Sequence, residues 1–259
     1  LLIPYALGQE IEFKKNFGPK LGQLKLNNIL EVSDKQILDK LDPVYKLINI
    51  VSKNEDMNGK DLIGFVGATW TLFIYMINKK SPKNEINQDI YNSKYNDLIK
   101  KIIHVQKLHI RKQVENGATI IQIFDSWAGL LNEDKFEKFI YNPTSELVNF
   151  TKSLGVETIC FPRNIKLYKE YCDVVKPDAI SIDYNIDPNK IVDNIDITIQ
   201  GGLDPKSLLL DKIDMLKTAK KYLDIFKDHN YIFNLGHGIM PETNPDHVKA
   251  LADFVKEYK

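Results

Sequence analysis

Apolar and polar positions alternate along this chain on two scales. Short runs rich in Ile, Val, Phe and Leu occupy residues 1–4, 62–66, 119–124, 157–161, 179–183, 195–200 and 231–235. Most lack the every-other-residue alternation of a half-exposed strand, so they read as parallel strands buried on both faces. Between them, Lys- and Asn-rich segments carry apolar residues three or four apart, the period of a helix with one buried face. Residues 87–116 do so through Ile90, Tyr95, Leu98, Ile102 and Ile110 and stop at Asn116 and Gly117. Residues 135–154 form a similar segment that Pro143 is expected to split, and residues 206–227 and 245–258 complete the series.

Strand and helix alternating over the whole length predict an α/β fold with a parallel sheet and right-handed crossovers. An open doubly wound sheet and a closed (β/α)8 barrel both fit. Seven strand candidates, the first at residue 1, point to a TIM barrel whose first strand and preceding segment are missing. No G-x-G-x-x-G follows an early strand and no G-x-x-x-x-G-K-[ST] occurs, which weakens the nucleotide-binding versions of the open sheet. With 43% hydrophobic residues and no linker or low-complexity stretch, residues 1–259 read as a single domain.

Charge and cysteine content narrow the class further. Lys plus Arg and Asp plus Glu both number 35, so no global field favours nucleic acid or an anionic membrane as a partner. Cys160 and Cys172 make neither a disulfide framework nor a four-ligand zinc set, and a cytoplasmic location is expected. The longest apolar stretch, residues 62–77, is short for a membrane span and reads as a strand leading into a helix.

Barrel chemistry sits at the carboxyl ends of the strands. In residues 231–248, His237 lies between Gly236 and Gly238, on a turn whose glycines allow close approach to a ligand. Asn244 and Pro245 then read as N-cap and first helical residue. Tyr75 follows the second candidate strand, and Phe124, Asp125 and Ser126 end the third, with Asp125 and Ser126 able to cap a helix. Arg163 is the only arginine at a strand end, Arg111 being the other in the chain, while Asp183 and the Gly201–Gly202 pair end later strands. His237 and His247 lack the spacing of a zinc pair. His104 and His109, five apart on a long helix, are expected at the surface, so neither metal nor cofactor is expected.

Four motifs, GFVGATWTLFIYMI, QIFDSWAGLL, IQGGLDP and FNLGHGIMPETNPDHVKAL, stand in order across the chain. Together they strongly resemble the uroporphyrinogen decarboxylase family. The resemblance implies a (β/α)8 barrel, usually a homodimer with facing clefts, that needs no metal or cofactor. It implies conversion of the four acetate side chains of uroporphyrinogen III into methyl groups, giving coproporphyrinogen III and CO2. Position by position, Tyr75 matches the family's active-site tyrosine, Ser126 its serine and His237 the histidine of LGHG, all contacting substrate carboxylates. Phe124 matches a phenylalanine that lines the cleft.

Departures accompany the match. The family's R-Q-A-G-R segment and the aspartate that holds the pyrrole NH groups belong before residue 1, so the resemblance implies that residues 1–259 alone do not decarboxylate. An incomplete barrel is also expected to expose two sheet edges. Thr69, Tyr184 and Gly202 replace the usual Pro, Trp and Asn near the cleft. Two other functions remain open. A non-catalytic porphyrin-binding barrel would keep the cleft, whereas a zinc-dependent corrinoid or thiol methyltransferase of the same superfamily needs a His-x-Cys pair that this chain lacks.

Overall fold

The computed structural model describes residues 1–14, 18–82, 86 and 88–258. It opens with helix α1 (Leu2–Ala6), an antiparallel hairpin of β1 (Ile11–Lys14) and β2 (Gly18–Leu21), α2 (Leu26–Glu31) and the long α3 (Asp34–Ser52). Six parallel strands then alternate with helices: β3 (Ile63–Gly67), β4 (Ile120–Asp125), β5 (Glu157–Pro162), β6 (Ala179–Ile182), β7 (Thr198–Gly201) and β8 (Tyr231–Ile232). They lie side by side in chain order, each hydrogen-bonded to the next, the order of strands in a βα barrel. The main crossover helices are α4 (Thr69–Asn78), α5 (Asn96–Glu115), α6 (Asn142–Ser153), α7 (Tyr168–Val175), α8 (Pro188–Val192) and α9 (Lys212–Phe226), with α10 (Pro245–Glu257) after β8.

The strand expected at residues 1–4 is instead part of α1, where Ile3, Pro4 and Ala6 are buried. A four-residue apolar run has no period that separates strand from helix, and Pro4 near the helix start loses no intrahelical hydrogen bond. The described sheet therefore has six strands rather than seven, with β3 and β8 at its edges. β8 is shorter than residues 231–235, although Leu235 still makes an isolated parallel bridge to Leu203.

The edge at β3 is not left bare. Thr119 N donates to Leu62 O at 2.9 Å and Ala68 N donates to Phe124 O at 2.8 Å, so even-numbered residues of this strand turn their polar groups toward β4. Odd-numbered residues turn theirs outward. There the buried Gln113 of α5 accepts from Phe65 N at 3.0 Å and donates to Phe65 O at 3.1 Å, while Gln106 donates to Gly67 O at 2.7 Å. Two side-chain amides thus supply bonds that a neighbouring strand would otherwise make, a device that blunts an edge against further pairing.

Helix boundaries follow local chemistry. α5 starts at Asn96 after two 3-10 turns, Gln88–Tyr91 and Ser93–Tyr95, later than the expected residue 87; Asn87 itself lies outside the described residues. A π-helical turn at Glu137–Tyr141 runs directly into α6, whose first turn holds Pro143; the proline thus marks a change of helix type rather than the expected split. The segment at 206–227 also divides, into a 3-10 turn at Pro205–Leu209 and α9. Asn244 caps α10 by accepting from Asp246 N at 2.9 Å, with Pro245 as the first helical residue.

His109 corrects a surface expectation. Five residues rotate a helix by about 140°, so His104 and His109 face different sides. His104 is exposed and meets Asp34 at 2.8 Å; His109 falls on the buried stripe with Ile102, Val105 and Gln113, its Nδ1 3.1 Å from Tyr45 Oη. Burial lowers its pKa to about 4, which keeps the imidazole neutral. Among the described residues, no helix is long and apolar enough to cross a membrane.

Candidate active site

The carboxyl ends of β3 and β4 and the first turns of α4 enclose a cleft of about 370 Å³. The chain passes from Gly67 at the end of β3 through Ala68 into α4, whose residues 69–74 are all buried and so seat the helix in the core. Thr71 and Tyr75, four residues apart, share the helix face toward the cleft. Leu1, Phe65, Gly67, Leu72, Phe124 and Ser126 line the rest. The rings of Phe65 and Phe124 in the cleft meet edge to face at 6.0 Å, and Phe124 meets the buried Phe161 behind it edge to face at 6.1 Å, forming an aromatic floor. Tyr75 sets its ring against Trp127 at 6.1 Å. Tyr75, Phe124 and Ser126, chosen from sequence, are therefore brought into one cleft.

Asp125 does not cap a helix. It is buried at the end of β4, where its Oδ1 accepts a 2.6 Å hydrogen bond from Thr71 Oγ1, and Thr71 Oγ1 accepts in turn from Trp127 N at 3.3 Å. Asp125 Oδ2 has no hydrogen-bond partner. Burial pushes the carboxyl pKa up to about 7, against the opposing hydrogen bonds from Thr71. A proton-holding carboxyl thus stands one hydroxyl away from the cleft. Sequence reasoning missed this pair, although the i to i+4 spacing of Thr71 and Tyr75 marks a shared face.

A second cavity of about 440 Å³ adjoins the first through Ser126 and is lined also by Ser81, Trp127, Arg163 and Asn164. The backbone around Arg163 is pinned: Arg163 N donates to Asp125 O at 3.1 Å, and Gly129 N donates to Arg163 O at 3.0 Å. Asp183 ties this loop to the end of β6, accepting from Asn164 N at 2.8 Å, Tyr168 Oη at 3.2 Å and Asn185 N at 2.9 Å. Its carboxylate is thereby a structural hub.

His237 lines neither of these two cavities and sits on the exposed turn after β8. Crowding by the strand ends lowers its pKa by desolvation, the Arg163 charge lowers it further, and Asp183 opposes both. The expectation that its two glycines admit a ligand needs revision. A Cβ on Gly236 would lie 2.4 Å from Tyr184 N, and Gly236 N donates to Leu203 O at 2.8 Å, so Gly236 allows contact between strand ends of the protein itself. Gly238 borders open space. Gly201 and Gly202 do adopt positive φ, 88° and 95°, within van der Waals reach of Ile182.

Among the described residues no group of three or more His, Cys, Asp or Glu side chains is arranged to hold a metal ion. Burial pushes the Cys160 and Cys172 thiols up to about 12, the reverse of what thiolate ligation requires.

Known proteins match over the same extent. The chain is 37% identical to uroporphyrinogen decarboxylase of Rickettsia bellii (strain RML369-C), covering all of this chain and 78% of that protein. It is 35% identical to the enzyme of the same name from Wolbachia pipientis wMel, covering all of this chain and 77% of that protein. In structure it is similar to a methyltransferase from Methanosarcina mazei, with a TM-score of 0.76 and 19% identity over 99% of this chain and 77% of that one. At that identity the likeness shows the shared barrel-type fold alone. The sequence model described as uroporphyrinogen decarboxylase (URO-D) matches residues 1–258, and the chain belongs to the uroporphyrinogen decarboxylase family.

Proposed function

We propose that this chain carries the substrate cleft of a decarboxylase that removes the acetate carboxyls of uroporphyrinogen III to give coproporphyrinogen III and CO2. The observation that carries the reading is the cleft where Tyr75, Phe124 and Ser126 converge at the carboxyl ends of β3 and β4. A tetrapyrrole with acidic side chains presents flat apolar faces and charged edges. The Phe65–Phe124–Phe161 floor suits the faces, while the hydroxyls of Tyr75 and Ser126 suit the carboxylates. His237, whose lowered pKa favours the neutral imidazole, serves as a hydrogen-bond partner at the far strand end.

The chemistry needs positioning more than reagents. Protonating a pyrrole carbon makes the ring its own electron sink, so the bond to the departing CO2 leaves its electrons on the substrate and no cofactor is required. The protein then holds the reacting acetate out of the ring plane and stabilises the charge that develops. We read residues 1–259 as one domain of a cytoplasmic homodimer acting on this small molecule, without nucleic-acid or membrane partners.

Binding measures the contribution of these residues directly. Uroporphyrin III titrated into the protein should be bound, with a porphyrin lacking carboxylates bound at least tenfold more weakly. Y75F, S126A and H237N should each weaken uroporphyrin by about 10- to 150-fold, the range of one hydrogen bond to a charged group. Equal affinity for the two porphyrins, or three silent substitutions, overturns the reading.

A further inference from the structure

The cavity beside the Tyr75 cleft contains a charge and donors that nothing among the described residues uses. Arg163 has no carboxylate within ion-pair distance among the described residues, and its Nε is buried without a hydrogen-bond acceptor. Trp127, which lines the same cavity, likewise has a buried Nε1 without an acceptor. Buried donors are normally satisfied, and two orphans bordering one cavity call for an acceptor from outside the chain. Asp183 is not ion-paired with Arg163, and its two oxygens accept instead from two backbone N–H groups and a tyrosine hydroxyl. The loop cannot swing freely, since Arg163 is bonded through its own N and O to Asp125 and Gly129. A Cβ on Gly129 would fall 2.4 Å from Asn164 O, which shows how tightly the two loops are stacked.

We propose that Arg163, with Trp127, Asn164 and Ser126 around it, forms a carboxylate-binding subsite that anchors one acidic side chain of the substrate while the ring occupies the Tyr75 cleft. The proposal rests on the tetrapyrrole reading above. A guanidinium presents a planar fork that matches a carboxylate with two parallel hydrogen bonds. Ser126 lines both cavities, so a ring on the aromatic floor can reach across it with one substituent. Arg163 brings a positive charge to the cavity, one that also lowers the pKa of His237 beyond the effect of desolvation.

The test is fluorescence titration of uroporphyrin III and coproporphyrin III into the 259-residue chain and its R163Q and R163K variants, each first checked by its melting curve. R163Q should bind uroporphyrin about 10- to 100-fold more weakly, as expected for losing a charge-assisted contact, with a shallower salt dependence. R163K should lose several-fold, because an ammonium keeps the charge without the fork. A loss confined to uroporphyrin assigns the subsite to an acetate carboxylate; a loss with both porphyrins assigns it to a carboxylate that coproporphyrin retains. Wild-type affinity of R163Q for both overturns the subsite and leaves the tetrapyrrole reading standing. Failure of the wild-type protein to bind either porphyrin overturns that reading and the subsite with it. If R163Q does not fold, R163K carries the test, and unchanged affinity in R163K counts against the proposal.

Discussion

Thr71 Oγ1 donates a 2.6 Å hydrogen bond to the buried Asp125 Oδ1 across the gap between α4 and the end of β4. The bond joins the helix that carries Tyr75 to the strand that carries Phe124 and ends just before Ser126, so it ties the two walls of the cleft together. Without it, the two walls would be held mainly by apolar contact, which fixes distance less sharply than a directional bond.

Stability should depend on pH through Asp125. Burial raises its folded pKa to about 7, so the folded protein holds this proton more tightly than the unfolded chain does. The stabilisation is complete below the ordinary carboxyl pKa of about 4 and is lost as pH rises through about 7, with a ceiling of about 4 kcal/mol for a shift of about three units. D125N, which stays neutral, should gain on the wild type between pH 5 and pH 8 in urea unfolding. Parallel curves for the two proteins would show that Asp125 is not the titrating group.

Removing the amide of Gln113 should expose the β3 edge. Q113L leaves Phe65 N and O without their side-chain partners and should cost about 1–3 kcal/mol. Light scattering on the same samples should show more association, because an uncovered edge recruits another strand. A variant as stable and monodisperse as the wild type would mean that water replaces Gln113 without penalty.

The glycines flanking His237 should respond oppositely. G236A places a Cβ against Tyr184 N and should lose at least about 2 kcal/mol, within the range for overpacking against backbone. G238A meets nothing within 4 Å and should stay within about 0.5 kcal/mol of wild type. Thermal melts of the two variants decide this, and equal shifts would contradict the placement of the turn.

His237 should titrate higher once Arg163 loses its charge. Desolvation lowers its pKa first and Arg163 adds to that, so R163Q should move the His237 imidazole resonance midpoint upward, toward its ordinary value. An unmoved midpoint in a folded R163Q would separate the two residues electrostatically.

The βα alternation is readable in residues 119–124, 157–161, 179–183 and 195–200 because a strand buried on both faces is continuously apolar and its flanking helices are not; residues 62–66 are equally apolar, although Ile63 and Phe65 are exposed on one face of β3. Residues 1–4 are apolar too, and only packing made them helical, since so short a run has no period to read. His109 was misplaced for a related reason: the side of α5 it occupies depends on what the helix covers. The order of motifs identified the family and chose Tyr75, Phe124, Ser126 and His237, because chemistry selects residue types at set places along the chain. What the chain order could not supply was distance between elements far apart in sequence. Tertiary structure alone joined Thr71 to Asp125, set Gln113 against the β3 edge and left Arg163 and Trp127 with unused donors on one cavity. These relations follow from which elements pack together, and burial, rather than residue type, then decides which polar groups go unsatisfied.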